Sequence, residues 1–245
     1  MDRSGDPRCV IAIDAGTTGV RSRAVFVDAR PAVAAYREFA QHFPSPGWVE
    51  HDANEIWEVA AATLREVIDE VGRSNVAAIG ITNQRETVLA WNRSTGETYG
   101  NAIVWQDRRT ASRCDELAAA GHLALIRERT GLVLDPYFSG TKAAWLLEHR
   151  DIPVDDDLAI GTIDSRLVWN LTGGRRFDTD ATNASRTMLC DIRTCSWYRE
   201  LCELLGVPIA ALPEIVPSSG RIDTTSADCG VPEGIAISGI AGDQQ

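Results

Sequence analysis

Lysine is almost absent from this sequence. Only Lys142 is a lysine in a chain of 245 residues with 24 basic side chains. A phosphate grip of the GxxxxGK[ST] kind, which places a lysine behind its glycines, therefore has almost nothing to be built from. No long basic run occurs, and 35 acidic residues give a net charge of -11. That balance disfavours a nucleic-acid partner, although a few local cations and backbone N–H groups can still hold a small phosphate. The four histidines, at 42, 51, 122 and 149, form no HxxxH pair and lend no support to a zinc site. No serine lies in a GxSxG, which leaves hydrolase chemistry unsupported, and no GxGxxG opens a dinucleotide-binding helix. The six cysteines, at 9, 114, 190, 195, 202 and 229, lack both CxxC spacing and the density of a disulfide scaffold, so reduced structural thiols are expected. The apolar stretch "CVIAI" is shorter than a signal-peptide core, and no apolar run reaches membrane-spanning length. A cytoplasmic protein without membrane insertion is the expectation.

What is present suits a soluble globular chain. Hydrophobic residues make up 44% of it, enough for a sizeable core, and neither an internal repeat nor a low-complexity linker divides it. "CVIAIDAGTTGVRSRAVFVD" predicts a hairpin, and "PAVAAYREFA" a third strand. "DANEIWEVAAATLREVIDEVG" predicts a helix capped at Asp52 or Asn54 and stopped at Gly72, with Ile56, Val59, Ala60, Leu64, Val67 and Ile68 at helical spacing. "VAAIGIT" and "NAIVWQ" read as strands, and "RTASRCDELAAAG" and "GTKAAWLLEHR" as helices. "DLAIGTIDSRLVWNLTGG" reads as a strand and then a helix from about Asp164. "SWYRELCELLG" is helical, and "GIAISGIAGD" is a final strand entering a turn. Hairpins mixed with strand–helix alternation imply an α/β architecture in one domain, residues 1–245.

Three stretches carry chemistry. In "DAGTTG", Asp14 to Gly19, glycines allow close approach to a ligand, N–H and threonine hydroxyl groups can donate to phosphate, and the carboxylate can hold Mg²⁺ through water. An ordinary hairpin turn accounts for the hexad equally well. In "ITNQRETVLAWN", adjacent Arg85 and Glu86 stand where a buried strand ends. Arginine offers a planar fork and glutamate accepts two protons, a pairing suited to vicinal hydroxyls, while a local ion pair is the plainer alternative. Trp105 and Tyr137 can add an apolar wall and a phenol, or serve as core. In "GIAGDQQ", Asp243 follows an apolar strand, where a carboxylate can take a proton from a substrate hydroxyl or cap a following helix.

The segments "DAGTTGVRSRAV", "PGWVEHD", "EIW", "ITNQRET", "NAIVWQDRRT", "TGLVLDPYFSGTK", "TNASRTML" and "SGIAGDQQ" together resemble, in order, the amino-terminal half of the glycerol kinases of the FGGY carbohydrate kinase family. The likeness covers nearly the whole chain. "DAGTTG" is shared across the family's sugar kinases, whereas "TNQRET", "DPYFSGTK" and "TNASRTML" are particular to the glycerol kinases. The resemblance implies a ribonuclease-H-like lobe of the actin-like ATPase superfamily, a mixed sheet with flanking helices, and ATP-dependent phosphorylation of glycerol to sn-glycerol 3-phosphate. It implies that Arg85 and Glu86 hold glycerol hydroxyls, that Trp105 packs on its carbons, and that Tyr137 bonds a hydroxyl. Asp243 would be the base, and both it and Gln244 beside it would contact the substrate. Thr17, Thr18, Gly19 and Arg21 would meet ATP phosphates, and Asp14 with Asp243 would hold Mg²⁺. A homo-oligomer is implied for the full-length enzyme.

Two alternatives remain at this point: a kinase of another sugar in the same family, and a non-catalytic polyol-binding fragment. The sequence also departs from the pattern. Gly19 and Val20 replace a serine pair, "VDARPAVAAY" is short, and Arg166 stands where an aromatic residue is expected. Family members continue well beyond "GDQQ" into a second lobe that grips the nucleotide. The expectation for the 245 residues alone is thus half a cleft that binds glycerol weakly and turns over little.

Overall fold

The computed structural model describes residues 8–245. It opens with an antiparallel meander, β1 (Cys9–Ala15), β2 (Gly19–Phe26) and β3 (Val33–Glu38), then β4 (Glu50–His51) and the long α1 (Ala53–Val71). Next come β5 (Val76–Asn83), β6 (Val88–Asn92), β7 (Ala102–Ile103), α2 (Ala111–Ala119), α3 (Leu123–Thr130) and α4 (Ser139–His149). There follow β8 (Leu158–Thr162), α5 (Ile163–Leu171), β9 (Asp178–Asp180), α6 (Ala181–Ala184), β10 (Cys190–Asp191) and β11 (Ser196–Trp197). The chain ends with α7 (Arg199–Leu205), β12 (Glu214–Val216), β13 (Ser219–Thr224) and β14 (Ala236–Gly242).

The central sheet is mixed, in the order β13-β14-β5-β1-β2-β3. β1, β5 and β14 run parallel, and the meander and β13 pair antiparallel at its flanks. Period-two alternation sends Cys9, Ile11, Ile13 and Ala15 of β1 to one face, where they pack with Ile56, Ala60, Leu64 and Val67 of α1 and with Leu167 and Val168 of α5. The α1 boundaries are chemical. Asp52 accepts from the Asn54 N–H at 2.8 Å, and Gly72 leaves the helix at φ +83°, a value open to glycine. A second core joins β6 and β8 to α4 and α7. Among the described residues no helix is long and apolar enough to cross a membrane, and all six cysteines are free thiols.

The structure departs from the sequence reading in local ways. The strand expected over "NAIVWQ" contracts to Ala102–Ile103, because Val104 and Asp107 close a turn at 3.0 Å that swings Trp105 off the sheet. The helix expected from about Asp164 is present as α5, starting at Ile163. Asp164, in the first turn of this helix, is buried, accepts from Thr162 and Thr179 at 2.5 and 2.6 Å, and is pushed by burial up to about 6. Arg166 fills its place by lying over Trp91 and Trp169 at 5.3 and 4.8 Å from the ring centroids.

Candidate active site

The three parallel strands end side by side. Register places Ala15 of β1 beside Asn83 of β5, and Asn83 beside Gly242 of β14. Two backbone bonds lace these ends together, Gln84 N–H to the Ala15 carbonyl at 2.8 Å and Asp243 N–H to the Asn83 carbonyl at 3.1 Å. Three distant stretches, "DAGTTG", "NQRE" and "GDQQ", therefore meet at the carboxyl edge of the sheet, where open α/β folds take ligands.

Arg85 and Glu86 are both buried. The Arg85 donors turn toward the chain end: Nη1 to Gln245 Oε1 at 3.0 Å, Nη2 to Gln244 Oε1 at 3.3 Å, and Nε 3.7 Å from Asp243 Oδ1. Gly242 makes this possible, since a Cβ there would collide with Arg85 Cδ and lie 2.7 Å from its Cγ. Glu86 adopts φ +63°, an unfavourable value for a residue with a side chain, and its carboxylate accepts from Arg186 Nε at 2.7 Å. Burial raises the Glu86 carboxyl above its usual range, while Arg186, Arg85 and Lys142 pull it back. Arg186 lies within "TNASRTML" but received no role from the sequence. It is far from Glu86 along the chain, and no spacing signals the pair.

Trp105 and Tyr137 form one wall, with ring centroids 5.4 Å apart. The Trp105 indole N–H donates to Thr17 Oγ1 at 3.1 Å, joining this wall to the turn between β1 and β2. Thr17 accepts there, so its own proton stays available to an acceptor. Thr18 Oγ1 stands 3.4 Å from the Tyr36 hydroxyl, and Arg21 lies over the Tyr36 ring at 5.5 Å. Gly19 packs against the same tyrosine: a Cβ there would be 2.6 Å from its Oη and 2.5 Å from the Arg37 carbonyl. A serine at this position would have no room, which gives the departure noted at Gly19 a steric reason.

A further relay braces the turn. Gln84 Nε2 donates to the Gly16 carbonyl at 3.1 Å and faces His51 Nδ1 at 3.2 Å, while His51 Nε2 stands 2.7 Å from Gln41 Oε1 and Gln41 Nε2 donates to the Thr17 carbonyl at 3.0 Å. This pattern assigns neutral His51, protonated at Nε2. Burial, aided by His42, holds the His51 pKa down at about 4 against an ordinary 6.5. Between these values the unfolded chain binds a proton at His51 that the folded one refuses, so the His51 contribution to stability falls as pH drops from 6.5 toward 4, while buried Asp164, raised to about 6, contributes in the opposite direction. The expected loss is about 3 kcal/mol at the acid end. Urea unfolding of both proteins across this window checks it, with His51→Gln expected to gain stability relative to the wild type as pH drops.

Asp14, near the end of β1, is within electrostatic reach of Asp243 after β14. Burial raises its carboxyl above the usual range, Arg21 lowers it, and the Asp243 charge raises it. Two carboxylates that disfavour one another at one sheet edge fit a hydrated Mg²⁺, which takes one or two carboxylates plus waters and phosphate oxygens. Among the described residues no group of three or more His, Cys, Asp or Glu gathers to hold a metal unaided.

With this geometry in hand, comparison with known proteins decides the family. The profile of the FGGY family of carbohydrate kinases, N-terminal domain, matches residues 9–245. The chain belongs to the FGGY family of carbohydrate kinases. Glycerol kinase of Dechloromonas aromatica is 53% identical over 253 residues, covering 100% of this FGGY chain and 49% of its own length. Glycerol kinase of Trichlorobacter lovleyi is 54% identical over 242 residues, covering 96% and 49%. Among solved structures, Plasmodium falciparum glycerol kinase with ADP superposes with a TM-score of 0.90 at 32% identity, over 97% of this chain and 49% of that one. Gluconate kinase of Lactobacillus acidophilus, at 21% identity and a TM-score of 0.87 over 97% and 48% of the two chains, shares the fold. The expected mixed sheet with flanking helices is thus the FGGY amino-terminal fold. The chain spans about half the length of the curated relatives it matches.

Proposed function

We propose that this FGGY lobe supplies the polyol site, the phosphate-contacting turn and the general base of an enzyme that phosphorylates glycerol with ATP. The observation that carries the reading is the convergence of Arg85, Glu86 and Asp243 at the ends of β5 and β14, with the Trp105–Tyr137 wall beside them. Glu86 accepts two glycerol hydroxyl protons, Arg85 donates to their oxygens, the Trp105 ring covers the carbons, and the Tyr137 phenol bonds a hydroxyl. Gln244 holds Arg85 in place.

Asp243 takes the proton of a terminal hydroxyl as that oxygen attacks the γ-phosphorus in line. The new O–P bond forms as the bond to the β-phosphate bridge breaks, which releases ADP and leaves sn-glycerol 3-phosphate. The Thr17 and Thr18 hydroxyls, the N–H groups of the turn through Gly19, and Arg21 face the phosphate oxygens. Mg²⁺, when bound by Asp14 and Asp243, supplies positive charge to the phosphates. A cytoplasmic setting and a homo-oligomeric full-length enzyme belong to the same proposal.

Calorimetric titration of the 245-residue chain with glycerol, xylulose and gluconate tests the reading. Glycerol is expected to bind at least about tenfold more tightly than either sugar. Preference for a sugar would reassign the substrate, and no binding of any of the three would remove the site. Asp243→Asn is expected to keep glycerol bound and to abolish any glycerol-dependent ADP release from Mg·ATP. Unchanged release would remove Asp243 as the base.

A further inference from the structure

The chain's single lysine takes no part in the chemistry above, yet it lies beneath the site. Lys142, in the first turn of α4, is fully buried. Its ammonium donates to the carbonyls of Val104 at 3.2 Å and Tyr137 at 2.9 Å. These carbonyls belong to the two backbone segments that carry the aromatic wall: Val104 directly precedes Trp105, and Tyr137 carries the second ring. Both partners are neutral, so the charge is stabilised mainly at longer range, which makes its burial costly. An apolar residue would avoid that cost and would leave the two segments unjoined. Arginine would bring five donors in a rigid fork where two carbonyls await a compact charge.

We propose that Lys142 is a positioning residue, its ammonium clamping the Val104 and Tyr137 carbonyls and so setting the separation of Trp105 and Tyr137 across the polyol pocket. Its consequence for binding rests on the polyol reading, whereas the clamp itself does not. The charged groups that act on Lys142 are Glu86 after β5, Asp107 and Arg109 after β7, and Asp135 before α4, with none on β6 or α7, against which α4 packs. Burial lowers Lys142 to about 7, Glu86, Asp107 and Asp135 act to raise it, and Arg109 lowers it further. Loss of the proton leaves an amine with two donors and a lone pair, a weaker clamp for two carbonyls. The wall is therefore expected to respond to pH near neutrality, well above the range in which His51 titrates.

The test is fluorine NMR of the 245-residue chain labelled with fluorotryptophan and free of ligand, the Trp105 signal being assigned with Trp105→Phe. The wild-type Trp105 resonance is expected to titrate with a midpoint near 7. In Lys142→Met it is expected to be displaced and to lose that titration, with Lys142→Arg failing to restore it. Glycerol affinity, measured separately, is expected to fall by about tenfold to a hundredfold in Lys142→Met. A Trp105 signal with no such titration in the wild type would overturn the proposal, even if the variants fail to fold. So would a signal and an affinity left unmoved by Lys142→Met. A titrating, displaced Trp105 in a chain that binds no glycerol would uphold the clamp and count against the polyol reading alone.

Discussion

Glu86→Ala is expected to weaken glycerol binding at least about a hundredfold if, as proposed, Glu86 accepts glycerol hydroxyls, because the substitution removes that buried carboxylate and leaves its polar partners unmatched. The same change strands Arg186, which is 27% exposed in its pair with Glu86, so the cost in stability is moderated by solvent to roughly 2 kcal/mol. Glu86→Gly separates backbone from side chain. At φ +63°, glycine relieves strain that both glutamate and alanine carry, so Glu86→Gly is expected to be about 1 kcal/mol more stable than Glu86→Ala. It should bind glycerol no better. Urea unfolding and calorimetry on the two variants check both halves of the expectation. Equal stabilities would show that the backbone at Glu86 is unstrained, and retained affinity would remove Glu86 from the site. Strain kept at a buried carboxylate is a feature that the proposed binding role would account for.

Gly242→Ala carries the second large effect. The residue does not occupy a left-handed conformation, so alanine is tolerated by the backbone and the objection is purely spatial. The added methyl would occupy the position of the Arg85 side chain, which is buried and has little room to move. Overpacking of this kind costs about 1–3 kcal/mol. Arg85 would also be displaced from Gln244, Gln245 and Asp243, so a loss of glycerol affinity of about tenfold or more is expected. A double-mutant cycle with Arg85→Ala gives the sharper measurement. If the two residues act through one contact, the losses in the double variant should fall well short of their sum. Additive losses would mean that Gly242 affects the site by another route.

Much of the fold was legible in the sequence where burial is one-sided. The meander alternates cleanly through Ile11 and Ile13, α1 carries its apolar stripe between Asp52 and Gly72, and each emerged where the pattern placed it. Legibility failed where that contrast is missing. β6 is central to its sheet and buried on both faces, so "VLAWN" shows no alternation. α3 buries only Ile126 and Thr130, too little to mark a helical face. In the site, chemistry-bearing residues at strand ends could be picked out one by one from "DAGTTG", "QRE" and "GDQQ". Their supports could not. Arg186 against Glu86, the His51–Gln84 relay, and the Lys142 contact to Val104 depend on residues far apart in the chain, which no periodicity encodes. Gly19 and Gly242 looked alike as small turn residues, yet one makes room for Tyr36 and the other for Arg85.

If the ends of β5 and β14 form one polyol site, a crystal structure of the 245-residue chain grown with glycerol will show it. Glycerol hydroxyls are expected within hydrogen-bonding distance of Glu86, Arg85 and Asp243, with the carbons against Trp105. Glycerol bound elsewhere, with those side chains left paired only to Arg186, Gln244 and Gln245, would contradict it.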